Sequence, residues 1–556
     1  MRRSFIALVL GALVLVLSVG AGGSIAANDN GKGEERGNKE HDLKSPLSEK
    51  QRALRKQGLE MKLEGKIAKD AKVARVAKGQ YVELAREDED SIWTVLGEFG
   101  DTGPLHNQIP EPDRSVDNTT IWTSDFTPGY FENLLFSEAP GAISMRNYYT
   151  EQSSNRYTVN GEVDGWVTVP RGTDYYGSNY CGSIVCARTW LFVRDSVNAW
   201  YQSQIAAGKT PAQIDDYLSQ FDVWDRYDYD GDGNFDESDG YIDHFQSVHA
   251  GAGEETGGGA QGTNAIWSHR WYAFYNQIGS TGPAQNLAGG IQVGGSRYWI
   301  GDYTIEPENG GVGVFAHEFA HDLGLPDLYD TSGNTGGAEN STGFWTLMSS
   351  GSYGSSGKPE DGIGTKPTHM GNWEKFQLGW LNYEVARWGQ KSEHKVGPSV
   401  YNTKQAQGVF VVLPKSMNGT TTTLGAPTEG ANAWYSTAGD NLDVSMTRDV
   451  TLPAAASISL NMKAWYEIET CWDYAYVRVS TDGGATYTNL PTTASDAGNE
   501  YGQNFGNGIT GISGTPKACD AASGSPAWVP VSADLTPYAG QTVKLQIRYW
   551  TDGAVQ

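Results

Sequence analysis

What this chain lacks narrows it first. Its 556 residues include only four cysteines and nine histidines, and Lys plus Arg number 41 against 66 Asp plus Glu, a formal net charge of −25. No basic patch interrupts that acidity, which excludes a nucleic-acid-binding surface of the usual kind. The imbalance is uneven, because residues 31–90 hold 15 basic and 13 acidic residues and the remainder is strongly acidic. Beyond the N-terminal leader no apolar run of about 18 residues occurs, so the mature chain is read as having no stable membrane span. Glycine clusters such as Gly251–Gly262 carry no lysine and no following helix, which argues against a phosphate cradle.

What is present begins with Arg2 and Arg3, an apolar run from Phe5 to Val19, and small residues up to Ala26. This is the pattern of a signal peptide over 1–26, and it places the protein outside the cell. The cysteines agree with export. Pairing Cys181 with Cys186 and Cys471 with Cys519 is the simplest of the three connectivities, and their scatter does not suit a four-cysteine zinc site.

The densest chemistry lies in His317–Asp327, HEFAHDLGLPD. Histidines four apart project from one face of a helix and can hold one zinc ion, with Glu318 beside it as general base. Gly324 ends the helix and Pro326 stiffens the return, so Asp327 is the expected third ligand in an HExxHxxGxxD frame of metzincin type. Glu374, in HMGNWEKFQLGWL, stays open as the alternative, since thermolysin-like sites take a glutamate from a later helix. Asp330 is read as a carboxylate that supports the zinc ligands from behind or shapes the turn. Met348 is the candidate for a methionine turn beneath the zinc, and Tyr353 is a supporting residue of open role.

A second cation site is expected at Asp228–Asp239. Numbered as a twelve-residue calcium loop, Asp228, Asp230, Asp232, Asp236 and Asp239 fall at positions 1, 3, 5, 9 and 12, with Asn234 offering its carbonyl at position 7.

With these landmarks the chain resembles the immune inhibitor A peptidases, secreted bacterial zinc metalloproteases. The resemblance rests on GVFAHEFAHDLGLPDLYD, LMSSGSY, EKFQLGWL and the acidic RYDYDGDGNFDESDGYIDHFQSVHAGAGEE, spread over about residues 120–385. It implies a proenzyme, one catalytic zinc, structural calcium, a β-rich C-terminal region, and protein or peptide substrates.

The expected layout is an α+β metzincin-like catalytic domain over 111–385, preceded by a helical propeptide over 27–110 that acts as the chain's own inhibitor. An all-β, jelly-roll-like sandwich follows over 386–556. Leu54, Leu59, Leu63, Ile67 and Val73 suggest amphipathic helices in the propeptide. Trp93–Phe99 reads as a strand. Ile458, Leu460, Met462 and Ala464 alternate with polar residues, as do Val543, Leu545, Ile547 and Tyr549, and Asp482-Gly-Gly signals a hairpin. The expected function is peptide-bond hydrolysis by a zinc-activated water. The alternative is an extracellular glycan- or protein-binding protein with a vestigial zinc site.

Overall fold

The computed structural model describes residues 40–552 apart from 78, 332–341, 359–360, 415–425, 440–441, 500–502, 518 and 520–523. The expected signal peptide lies outside the described residues. Among those described, no helix is long and apolar enough to cross a membrane.

Helix α1 (Pro46–Glu64) starts where its sequence allows: the Ser45 hydroxyl accepts the Ser48 N–H, the Ser48 hydroxyl accepts the Ser45 N–H, and Pro46 occupies the first turn. It ends at Gly65, φ +76°, a left-handed conformation that glycine adopts without strain. The helical pattern expected to run on through Val73 does not continue. Val73–Ala77 (β1) turns at Gly79 and pairs antiparallel with Gln80–Glu83 (β2). Leu59, Ala74, Val82 and Leu84 then share a core with Phe376, Leu381 and Tyr383, far along the chain.

The next strand is β3 (Asp88–Phe99). The chain proceeds through α2 (Pro128–Phe136), α3 (Met145–Gln152), β4 (Tyr157–Val169), the short α4 (Thr173–Tyr176), α5 (Arg188–Ala206) and α6 (Pro211–Leu218). After them come β5 (Phe245–His249), β6 (His269–Tyr272), the ribbon β7 (Ile291–Gln292) and β8 (Trp299–Ile300), and β9 (Asp302–Pro307). Five of these strands form one sheet in the order β4-β3-β5-β9-β6, with the first four parallel and β6 antiparallel at the edge.

Strand β3 is flanked on both sides, so residues 88–99, within the expected 27–110 segment, form part of the central sheet. Its side chains explain the position. Trp93, Val95 and Phe99 enter one core with Trp190, Phe192 and Val197 of α5, while Ile92 and Leu96 enter another with Phe131, Tyr149, Phe315 and Phe319. The central stretch Ile92-Trp-Thr-Val-Leu96 is buried on both faces, as suits a strand covered on each side, while the acidic start at Asp88 and Glu89 is exposed.

Helix α7 (Val312–Asp322) lies on the second face, and α8 (Asn372–Gln377) leads to β10 (Tyr383–Arg387), which pairs in parallel with β11 (Gly408–Val412). The expected boundary at 386 therefore cuts a strand. Beyond it the described structure is all β: β12 (Asp443–Thr451), β13 (Ser459–Ala464), β14 (Glu467–Ile468), β15 (Tyr474–Ser480), β16 (Thr488–Asn489), β17 (Gly511–Ile512), β18 (Val529–Asp534) and β19 (Thr542–Trp550). A four-stranded antiparallel sheet, β12-β19-β15-β16, packs Val477, Val479 and Val543 against Leu460 and Ala533 of the β13–β18 ribbon. The alternation read at 459–464 is realised, with Leu460, Met462 and Ala464 half-buried and the intervening residues exposed. Asp482-Gly-Gly forms the β15–β16 turn, where Asp482 accepts from Thr486 and Ser480. Both disulfides join the expected pairs, with Cα–Cα distances of 5.9 Å for Cys181–Cys186 and 5.4 Å for Cys471–Cys519.

Leu84 is fully buried in the core shared with Phe376 and Tyr383. Leu84→Ala is expected to lower unfolding free energy by about 2–5 kcal/mol. A denaturant melt showing a loss below about 1 kcal/mol would mean that the 46–85 segment is only loosely docked.

Candidate metal centre

Every residue of α7 is buried. Gly313 lets the helix settle against the loop beneath it, since a Cβ there would stand 1.9 Å from the Ser352 carbonyl oxygen. Gly324, φ +93°, turns the chain back under the helix and directs the Leu325 carbonyl at His321.

The two histidines are fixed from behind. His317 Nδ1 donates to Leu347 O at 2.8 Å and His321 Nδ1 to Leu325 O at 2.7 Å, a tautomer assigned from these acceptors. Their Nε2 lone pairs then point inward, 3.0 Å apart, and stand 3.3 and 3.2 Å from Asp327 Oδ1. A triangle with such edges is what three ligands at about 2.0–2.1 Å from a tetrahedral ion make. Asp327 Oδ1 is buried without a hydrogen-bond partner, so the donor set of two imidazoles and one carboxylate suits zinc. Glu374 lies elsewhere, held in α8 by a hydrogen bond from the Thr346 hydroxyl.

Burial dominates the electrostatics. It pushes the Glu318 carboxyl well above its ordinary range, with His317 opposing and Asp327 reinforcing the rise. It lowers the His321 imidazole to about 4. Burial alone would raise Asp327, yet the imidazoles of His321 and His317 crowded against it hold its carboxyl well below the carboxylate range. Met348 is fully buried in the core under α7, and the Leu347 carbonyl beside it is the one that orients His317. Burial, then the charges of Glu255, Glu318 and Asp327, raise the Tyr353 hydroxyl, which places it toward this acidic centre. Asp330 is half-buried and stands outside the triangle.

Sequence reasoning missed His41. Its backbone N–H donates to Asp327 Oδ2 at 2.9 Å and its Nδ1 donates to Glu318 Oε1 at 2.8 Å, while Nε2 accepts from the Trp267 indole at 3.2 Å. The strap around it is anchored as an added strand. Arg270 N–H donates to His41 O at 2.8 Å and Leu43 N–H to Arg270 O at 3.0 Å, in parallel with the edge strand β6. The Trp271 indole also reaches Lys44 O at 3.1 Å, and Asp42 is paired with Arg52. The one hint in the sequence was a lone histidine in an otherwise charged and glycine-rich stretch.

The acidic loop departs from the twelve-position template. Asp228, Asp230 and Asp232 gather, and Asp225 and Glu237 close on Asp230 from the other side, in groups whose carboxylate oxygens lie within 4.8 Å. Asp236 is exposed outside these groups, and Asn234, also exposed, donates its N–H to Asp232 Oδ1. Asp239 is buried outside these groups, accepting the Tyr241 N–H while its own N–H goes to Asp222, and Gly240 follows at φ +93°. Asp225 Oδ1 is buried with no hydrogen-bond partner. Five carboxylates supply the oxygens that calcium prefers.

A family model described as immune inhibitor A peptidase M6, catalytic domain, matches residues 78–381, and one described as immune inhibitor A-like, MAM domain, matches 392–556. The first match begins well ahead of 111 and includes β3. The chain is 33% identical over 513 residues to pre-pro-metalloprotease PrtV of Vibrio cholerae serotype O1 (strain M66-2), covering 88% of this chain and 50% of that protein. It is likewise 33% identical over 495 residues to immune inhibitor A of Bacillus thuringiensis subsp. alesti, covering 84% of this chain and 64% of that protein. The chain thus spans 50 to 64% of the length of these curated relatives.

Burial raises Asp225 to about 6 and also raises Asp228. A carboxyl whose folded pKa exceeds its unfolded value favours folding below the unfolded value, near 3.8, and that support is lost as pH rises through about 6. A cation replaces the lost protons. The calcium-induced rise in Tm is therefore expected to be larger at pH 7 than at pH 5, and equal rises at both would contradict a cation site built on these groups.

Proposed function

Because the chain belongs to the immune inhibitor A peptidase family, we propose that it is a secreted zinc endopeptidase held latent by its own N-terminal strap. The observation that carries the activity is the convergence of His317 Nε2, His321 Nε2 and Asp327 Oδ1 beside the buried Glu318. On that motif and on Met348 beneath it, the catalytic domain is read as metzincin-like, and the β-rich tail as a jelly-roll-like sandwich. Its substrates are read as extracellular proteins and peptides, and calcium as a structural ion of the acidic loop.

His317, His321 and Asp327 would hold a zinc ion, which when bound would supply a Lewis acid for the scissile carbonyl and lower the pKa of water toward 7. Glu318 accepts the attacking water's proton and returns it to the leaving amine. The Leu347 and Leu325 carbonyls keep both imidazoles in the ligating tautomer. The free edge of β6 receives extended backbone through the Arg270 N–H and C=O, the same groups that hold the strap.

The strap supports latency in a specific form. His41 hydrogen-bonds the general base, and with Nε2 engaged by Trp267 it blocks Glu318 without offering a lone pair to metal. The inhibitory piece is thus the stretch around His41, and any activating cut falls before Asp88, since β3 belongs to the sheet.

Glu318→Gln is expected to keep zinc while losing about 10²- to 10⁴-fold in kcat on casein, whereas His321→Ala loses both zinc and activity. Activity surviving in Glu318→Gln would remove the glutamate from its role. An intramolecular hydrogen bond contributes about 0.5–1.5 kcal/mol. His41→Ala is accordingly expected to raise activity of the uncut chain about two- to tenfold. An uncut His41→Ala chain as silent as the parent would show that latency lies elsewhere.

A further inference from the structure

Arg226 sits between two charged centres that nothing above connects. It follows Asp225, whose N–H is tied to Phe235 O at 3.0 Å and whose Oδ2 accepts the Tyr229 N–H at 2.8 Å, so the acidic loop fixes its backbone on both sides. Its guanidinium reaches the other way, to Asp322, the residue after His321. Nη1 meets Asp322 Oδ1 at 2.7 Å and Nη2 meets Oδ2 at 2.9 Å, a two-pronged fork, and Nη1 also donates to the Asp322 carbonyl at 3.1 Å. His244 Nδ1 donates to the same carboxylate at 2.5 Å and its Nε2 stands 3.2 Å from Asp90 of β3. Arg226 and Asp322 are both about 5% exposed. A fork of this kind is directional as well as charged, so moving the Arg226 backbone moves the last turn of α7.

We propose that Arg226 couples cation binding in the 225–237 loop to zinc binding at His317, His321 and Asp327, making each ion raise the affinity for the other. The inference rests on the zinc and calcium readings above. With the loop empty, carboxylates repel within each of two groups sharing Asp230, Asp225–Asp230–Glu237 and Asp228–Asp230–Asp232, whose oxygens lie within 4.8 Å of one another, and the buried Asp225 Oδ1 lacks a partner. Calcium drawn into that group fixes Asp225, hence the neighbouring Arg226, hence the Asp322 fork. The helix end that presents His321 then holds its ligating geometry before zinc arrives, and zinc no longer bears the cost of ordering it. Arg226 is a positioning residue in this scheme and touches neither ion.

The test measures zinc affinity of the intact protein by competition with a chromogenic chelator, in calcium-free buffer and at saturating calcium. Zinc is expected to bind about fivefold or more tightly with calcium present, and calorimetry must show calcium binding strengthened by the same factor when zinc is bound. Arg226→Lys keeps the charge but removes the fork, and is expected to bind both ions with affinities independent of each other. If that variant does not fold, the reciprocal pair of wild-type measurements decides alone. Wild-type protein that binds both ions independently overturns the coupling and leaves the peptidase reading standing. Failure to bind zinc at all overturns both.

Discussion

Two backbone carbonyls, those of Leu347 and Leu325, orient the pair of histidines on which the proposed zinc site depends. By accepting the Nδ1 protons of His317 and His321 they turn both Nε2 lone pairs toward Asp327. Each carbonyl is placed by a distinct device. Leu325 lies past the Gly324 turn, and Leu347 lies in the loop that Gly313 allows to approach α7. Buried imidazoles and carboxylates crowded without an ion are costly, and burial alone shifts Glu318 and His321 toward their neutral forms. The arrangement makes physical sense as a site shaped to be completed by a cation.

Around that centre the fold works as a frame with three supports. The parallel strands, buried on both faces, give α7 a rigid floor. The edge strand β6 offers backbone groups at Arg270, which here engage the strap. The third support is the ion-pair network of Arg226, Asp322, His244 and Asp90, which ties the far end of α7 to both β3 and the acidic loop. Buried ion pairs of this sort add little net stability over apolar packing, and breaking one partner leaves a buried charge, so their value lies in specifying geometry.

Much of the site was legible because its signals are local. His317, Glu318 and His321 share one helical turn, Gly324 marks its end, and Asp327 follows within reach. The disulfide partners and the alternating strand at 459–464 were likewise short-range readings. What was not legible depends on distant partners. His41 meets Glu318 across 277 residues and gives no periodic signal. Val73 fits a helical spacing, yet Gly65 ends the helix and the hairpin wins by joining a core with Phe376 and Tyr383. The calcium template assigned Asp239 by its count from Asp228, whereas it lies outside the carboxylate groups with its N–H on Asp222, and Asp225 and Glu237, outside or between the counted positions, take the places near Asp230. The strand at Trp93–Phe99 was legible from its local pattern, whereas its pairing on both edges depends on distant partners.

The most direct test of the account is anomalous diffraction at the zinc edge from crystals of the zinc-loaded protein. The expected result is one peak bonded to His317 Nε2, His321 Nε2 and an Asp327 carboxylate oxygen, with Glu318 beside it but not ligating. A peak bonded to Glu374, or no peak between the two histidines, would contradict it.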